Sequence, residues 1–328
     1  MLVICFIFFY LVMMMMMHRF RVRPHKMTRV NSRWWRCMKT DARPSPMPKH
    51  YKRPPPKHVP TAKWSTRFVA IDALVATTMT TQQERRVVDV GCDHAWLSIG
   101  LVSCGTARSA IAIDVNEKPL EGARNNKRKH ADELPIEFRL GSGLEPVACA
   151  DECNVAIFAG FGISAMTAAL EQATFKPKNV VLNPPAKHAP QARRWLVDNG
   201  YAIVGEACVV EGGVVNVVEA ATFVGVNDDR CTSTNYDDIL LGPLLRRETA
   251  SSGIHFDAFQ ALLAARLRGV DDAIRRIPGR GVDDANANDD DDVESLVGTM
   301  DRSRDHTRRR QKSHAELLRE RRSLLAHL

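Results

Sequence analysis

The run Val87-Val88-Asp89-Val90-Gly91-Cys92-Asp93-His94, followed by Ala110-Ile111-Ala112-Ile113-Asp114, constrains this chain more than any other feature. A short apolar segment ends in a glycine turn, and a second ends in a carboxylate about 20 residues further on. A parallel α/β sheet builds a nucleoside site in this way at the carboxyl ends of its first strands. Gly91 lets backbone approach a ligand closely, and Asp114 is placed to accept hydrogen bonds from a ribose diol. A dinucleotide site would require G-x-G-x-x-G, so that a helix N-terminus could hold pyrophosphate. Here Cys92-Asp93-His94-Ala95-Trp96 follows Gly91, and the Asp93 carboxylate would repel phosphate. The pattern therefore favours a ligand with ribose hydroxyls, no phosphates and a cationic centre. S-adenosylmethionine has that chemistry, and a nicotinamide dehydrogenase is excluded for want of a phosphate loop.

The formal charge of +8 over 328 residues is unevenly spread. Residues 1–67 hold 15 Lys/Arg against Asp41 alone, and the rest hold 31 Lys/Arg against 37 Asp/Glu. The remainder is thus mildly acidic, and any surface for a nucleic acid must be a local patch. The eight cysteines form no CxxC pair, and Cys149 and Cys153 match no common zinc spacing. Reduced, buried thiols and no metal site are expected, in a reducing compartment.

Met1 to Met17 is uncharged and nearly all apolar, at the lower edge of membrane-spanning length, and a basic run from His18 to Lys26 follows. Residues 19–67 are rich in Arg, Lys, Pro and Ser, as organelle transit peptides are. The extension, residues 1–63, reads either as a signal, anchor or transit segment or as sequence upstream of the start site actually used. The first reading places the protein in a plastid or mitochondrion, with a membrane association only if the segment is retained; the second places it in the cytoplasm. Neither contributes to the fold.

From Trp64 the pattern is globular. A helix is expected over Arg67–Thr77, then apolar strands at Val87–Val90, Ala110–Ile113, Ile136–Leu140, Val155–Ala159 and Val180–Leu182, with helical segments at Leu120–His130, Ser164–Gln172 and Arg193–Asn199 between and after them. This alternation predicts a parallel sheet covered on both faces. Ile203–Val210 and Val214–Phe223, joined through Glu211-Gly212-Gly213, predict an antiparallel hairpin. The whole is a Rossmann-like α/β domain over 64–226 with a seven-stranded, mostly parallel sheet. Over 227–328 we expect a loop at Asn227–Asp238, helices at Leu240–Leu245 and Phe256–Ile277, and a disordered acidic insertion with seven acids in residues 283–294. A last helix, closing on Leu317, Leu318, Leu324 and Leu325, would form a hairpin with the one before it.

Several of these segments resemble one family. Asp89-Val90-Gly91-Cys92-Asp93-His94-Ala95-Trp96-Leu97 is similar to the D-I-G-S-D-H-A-Y-L signature of the bacterial tRNA (adenine-22-N1)-methyltransferases, the TrmK-like proteins. Ala110 to Asn116 resembles their A-I-A-x-D-V-N segment, and Arg139 to Leu144 their R-x-G-D-G-L. Ala159-Gly160-Phe161-Gly162 sits where they have A-G-M-G-G. Arg193-Arg194-Trp195-Leu196, the hairpin with Glu206 and Glu219, and Leu241-Gly242-Pro243-Leu244-Leu245 also match. The resemblance spans roughly residues 64–270. Departures occur at Ser142, Phe161, Ile163 and Leu182-Asn183-Pro184-Pro185, the last in place of L-Q-P-N, and they bear on substrate choice and activity.

The resemblance implies methyl transfer from S-adenosylmethionine to N1 of an adenine in tRNA, with no stable protein partner. It implies cofactor contacts from Asp89, Gly91, Asp93, Asp114, Val115, Gly141, Ser142, Gly143, Ala159 and Gly160. It further implies working roles for Asp93 near the methionine ammonium, His94 as orienter of the loop, and Asn183. Trp96 and Phe161 are candidates for stacking on a flipped base, and the Arg304–Lys312 cluster for holding tRNA phosphates. Two rival readings are an amino-methyltransferase acting at adenine N6, suggested by Asn183-Pro184-Pro185, and an RNA-binding protein that keeps the fold without catalysis.

Overall fold

The computed structural model describes residues 55–78, 85–232, 234–249, 256–277 and 312–328. The basic extension up to residue 54, the acidic stretch 283–294 and Arg304 to Arg310 lie outside the described residues. Among the described residues no helix is long and apolar enough to cross a membrane, so the membrane expectation finds no support there.

Seven strands form one sheet: β1 (Arg86–Val90), β2 (Ser109–Asp114), β3 (Ile136–Leu140), β4 (Val155–Ala159), β5 (Asn179–Asn183), β6 (Tyr201–Glu211) and β7 (Val214–Phe223). Their order is β3-β2-β1-β4-β5-β7-β6, with the first five parallel and β7 antiparallel to both β5 and β6. The chain moves outward from β1 to β3, then returns to the other side of β1 with β4. The crevice above β1 and β4 is therefore a topological switch point, where such sheets take ligands.

The strands read as continuous apolar runs because both faces are covered. Alternate residues go to opposite sides. Val87, Ala110, Ala112, Val155 and Ile157 pack against α1 (Thr66–Thr78), α2 (Trp96–Ser103) and α3 (Glu117–His130), which bring Ile71, Leu74, Leu97, Ile99, Leu101 and Leu120. Val88, Val90, Ile113, Ala156, Phe158 and Leu182 pack against α4 (Ile163–Gln172) and α5 (Ala189–Asp198), which bring Met166, Leu170 and Leu196. A third core lies where Cys208 and Val217 of the hairpin meet the C-terminal helices through Leu240, Leu245, Phe259, Leu263, Ile274 and Leu324.

The region after the sheet departs from expectation in two places. Asn227–Asp238 is not a plain loop, because α6 (Asp229–Thr232) and the start of α7 (Tyr236–Leu241) fall within it. Asn235 caps α7 by accepting from the Asp238 amide, while Asp238 reaches back to the Asn235 amide, a capping box that lets a polar segment start a helix. The helix expected over Leu240–Leu245 is broken in two: α7 ends at Gly242, which has φ +98, and α8 (Pro243–Thr249) begins beyond it. The two long helices do pair antiparallel. Gln260 of α9 (Phe256–Arg275) reaches the His327 carbonyl, while Arg266 binds Glu320 of α10 (His314–Leu325).

A buried ion cluster ties these helices to the sheet. Glu206 and Glu219 face each other across β6 and β7, and Arg193 of α5 lies between them, all three at most 2% exposed. Arg193 Nε donates to Glu206 Oε1 at 2.7 Å, and Nη1 donates to the Ile239 and Leu240 carbonyls. Glu206 Oε2 accepts the amides of Leu244 and Leu245 at the start of α8. Glu219 Oε1 is 3.1 Å from Arg193 Nε, but that N–H points at Glu206, and neither Glu219 oxygen has a hydrogen-bond partner among the described residues. Glu206 thus keeps the charge, and burial pushes the Glu219 carboxyl up to about 8.

Glu219 accordingly retains its proton in the folded chain at pH values where the unfolded chain has lost it. This contribution to stability is fully present below the ordinary glutamate range. It fades as pH rises toward and through 8, by at most about 1.4 kcal/mol per pH unit. In urea unfolding between pH 5.5 and 8.5, wild type is expected to lose stability more steeply than Glu219→Gln, which cannot ionise. Parallel pH profiles for the two proteins would refute a protonated Glu219.

Candidate active site

At the switch point lies a cavity of about 760 Å³, a size suited to a nucleoside-sized ligand. Its floor is the loop between β1 and α2. Three residues of that loop hold positive φ: Gly91 at +72, Asp93 at +50 and Ala95 at +56. Two of them are not glycine, and such strain persists only where the surroundings enforce it. The enforcement comes from β2. The Gly91 and Cys92 amides both donate to the Ile113 carbonyl at 2.9 Å, and the Asp93 amide donates to Asp114 Oδ2 at 3.2 Å. The three amides that might have cradled a phosphate are therefore spent on the neighbouring strand. At Gly91 a side chain is barred twice, by φ and by the Phe161 ring, which a Cβ would meet at 2.9 Å.

Asp114 ends β2 and is 8% exposed, and it also accepts from the Asn116 amide at 2.9 Å. These bonds fix the carboxylate while leaving lone pairs for a ligand. Asp89 sits deeper, 3% exposed, and accepts from the Ser98 hydroxyl at 2.6 Å, which ties the first turn of α2 to β1. Burial raises its carboxyl to about 6, against the lowering by Ser98 and the Arg67 charge. The Cys92 thiol is pushed up strongly by burial and by the carboxylates of Asp89, Asp114 and Asp93, so it is no nucleophile.

Asp89, Gly91, Asp93, His94, Asp114 and Val115 all line the cavity, and Gly141, Ser142, Gly143, Ala159 and Gly160 complete its far wall. Trp96 and Phe161 are also in the wall, both half-buried. The exposed Asp93 carboxylate lies 3.7 Å from His94 Nε2. His94 rests on α3: its carbonyl accepts from Asn126, and its ring fills the space where Gly122 lacks a Cβ.

Asn183 does not join this group. It is 4% exposed and absent from the lining; its Oδ1 accepts from Arg67 Nη1 at 3.2 Å, and its Nδ2 donates to the Val217 carbonyl at 2.9 Å. Both halves of the amide are committed inside the protein, which corrects the expectation that Asn183 meets the substrate. The residue that enters the cavity in its place is Arg67, at the start of α1. Nothing local in the sequence announces it, because it precedes the glycine loop by a whole helix. Of the tRNA-binding cluster only Lys312 is certain in placement, and it pairs with Glu320. Among the described residues no group of His, Cys, Asp and Glu is arranged to hold a metal ion.

The sequence model of a methyltransferase domain family matches residues 71–218. The tRNA (adenine(22)-N(1))-methyltransferase of Bacillus subtilis is 30% identical over 167 residues, 49% of this chain and 68% of the relative. Among solved structures, the B. subtilis M1A22 tRNA methyltransferase TrmK superposes with a TM-score of 0.53 at 24% identity, covering 64% of this chain and 86% of that one. TrmK of M. capricolum, in complex with S-adenosyl-homocysteine, gives 0.52 at 22% identity over 65% and 88% of the two chains. These structures share the fold described above, and with its glycine loop, its Asp114 and a relative matched over two thirds of its length, the chain belongs to the tRNA (adenine(22)-N(1))-methyltransferase family.

Proposed function

We propose that this protein transfers the methyl group of S-adenosylmethionine to N1 of an adenine in tRNA. The observation that carries the reading is the cavity floor: a carboxylate, Asp114, set for a ribose diol beside a loop whose amides are turned away from any phosphate. The chemistry suits what the cavity holds. Adenine N1 has an in-plane lone pair, so it attacks the methyl carbon without losing a proton. The N1–C bond forms as the S–C bond breaks, and the sulfonium charge passes to the base. No general base is required, and the site works by alignment and by tolerating positive charge. Asp89, Asp93 and Asp114 provide that tolerance. In this reading Asp114 holds the ribose, and Gly141 to Gly143 let backbone approach the nucleoside. The Ala159–Gly160 backbone borders the methyl path, and His94 pins the loop to α3. N1 is blocked in a base pair, so the target must be unpaired or flipped, with Trp96 or Phe161 as stacking surface. Phosphate contacts from the Arg304–Lys312 cluster would make tRNA affinity fall steeply with salt.

The rival at N6 needs an asparagine amide to hold the exocyclic amine, and Asn183 has both its groups engaged elsewhere. The test is to incubate the full chain with unmodified tRNA and labelled S-adenosylmethionine and to identify the modified nucleoside by mass and chromatography. N1-methyladenosine is expected. N6-methyladenosine would transfer the proposal to the rival, and no cofactor binding at all would favour an RNA binder without catalysis.

A further inference from the structure

The cavity is acidic with one exception. Asp89, Asp93 and Asp114 contribute three carboxylates, and Arg67 is the only Arg or Lys in its lining. A ligand carrying only positive centres would gain nothing from that guanidinium. Arg67 is also held in a set position. Asn183 Oδ1 accepts from its Nη1, its own backbone amide donates to Glu211 Oε2 at 3.2 Å, and its guanidinium lies against the Phe68 ring. Nη1 stands 3.8 Å from where a Cβ on Gly160 would be, at the end of β4. Among the described residues the guanidinium makes one hydrogen bond, to Asn183, and keeps its remaining donors for something else.

The order of the strands says which part of a ligand arrives there. Asp114 ends β2, the glycine loop ends β1, Gly160 follows β4 and Asn183 ends β5. At about 4.8 Å per strand, the sheet edge from β2 to β5 covers about 14 Å. An extended cofactor with its ribose at Asp114 runs along this edge, past the Asp93 loop, and brings its far end to Arg67. Resting on the cofactor reading above, we propose that Arg67, aimed by Asn183, binds the α-carboxylate of the cofactor's methionine half. Asp93 faces the ammonium of the same group, so the zwitterion meets one charge of each sign. A planar fork matches a carboxylate in a way that a lysine ammonium does not. Asn183 is then a positioning residue, acting only through Arg67.

Two nucleosides separate this role from a merely structural one. S-adenosylhomocysteine carries the amino-acid end, and 5′-methylthioadenosine lacks it while sharing the adenosine. By calorimetry on the full chain, Arg67→Met is expected to weaken S-adenosylhomocysteine by roughly 10- to 100-fold and to leave 5′-methylthioadenosine within about twofold. Arg67→Lys should fall between wild type and Arg67→Met. Asn183→Ala should show a smaller loss with the same dependence on the amino-acid end. Equal losses for both nucleosides would overturn the proposal, since Arg67 would then only shape the cavity. Unchanged S-adenosylhomocysteine binding with weakened tRNA binding would overturn it in favour of an RNA phosphate. Failure of the wild-type chain to bind either nucleoside would remove the cofactor reading itself, and this proposal with it.

Discussion

Asp114→Ala is expected to weaken S-adenosylmethionine binding at least about 100-fold and to abolish measurable methylation at cofactor concentrations that saturate wild type. The carboxylate is asked to accept two ribose hydroxyls, and hydrogen bonds to a charged acceptor contribute about 1.5–3 kcal/mol each. It also fixes the shape of the loop, because the Asp93 amide and the Asn116 amide both end on it. Removing it therefore loosens the turn that carries Asp93 as well as the ribose contact. Asp114→Asn separates these effects. The amide keeps one acceptor oxygen for the loop but presents donors where the second hydroxyl should bind, and an intermediate loss of about tenfold is expected. Thermal melts of both variants should lie close to wild type, since Asp114 stands at the rim of the core rather than within it. Binding of Asp114→Ala within about threefold of wild type would show that the ribose lies elsewhere.

The parts of this site legible in the sequence are those built by consecutive residues. The β1 loop and the end of β2 could be read because each is a single apolar run ending in a glycine or a carboxylate, and the parallel pairing of β1 with β2 brings them together. The hairpin was legible in the same way, from two apolar runs about Gly212-Gly213. What escaped was set by tertiary contact. Arg67 looks like one charged residue on the first turn of an amphipathic helix, and only the packing of α1 against β6 and β7 brings it over Gly160. Asn183 belongs to a motif-like tripeptide, yet its neighbours on β7 and α1 absorb its hydrogen bonds. The misread segment around Asn235 did carry a signal, an Asn three residues before an Asp and then an apolar run, which is the capping-box pattern in another spelling. Gly242-Pro243 likewise marks the helix break, since Pro fits the first turn of a new helix and Gly the end of the old one.

Arg193→Met is expected to destabilise the protein more than any single change in the cavity. Arg193 is the only cation beside two buried glutamates, and removing one partner of a buried pair costs about 3–5 kcal/mol because the other charge is left uncompensated. For a protein of this size that corresponds to a fall in melting temperature of roughly 10 °C. Glu206 bears most of the consequence, since it must stay ionised to accept the Leu244 and Leu245 amides, and Met at 193 gives it no counter-charge. The Ile239 and Leu240 carbonyls at the end of α7 lose their donor in the same step. The damage should therefore be local first: amide exchange in α7 and α8 should accelerate more than in the parallel strands. Arg193→Lys should rescue little, because one ammonium cannot serve Glu206 and two backbone carbonyls in the directions a guanidinium fork reaches. The neighbouring glycine is part of the same arrangement: a Cβ at Gly242 would meet Glu206 Oε1 at 2.6 Å and Arg193 Nη2 at 2.9 Å. Gly242→Ala should thus reproduce a share of the Arg193→Met loss without removing any charge. If Arg193→Met melted within about 2 °C of wild type, the helices would be held by their apolar contacts with Cys208 and Val217 alone, and the ion cluster would be incidental to their docking.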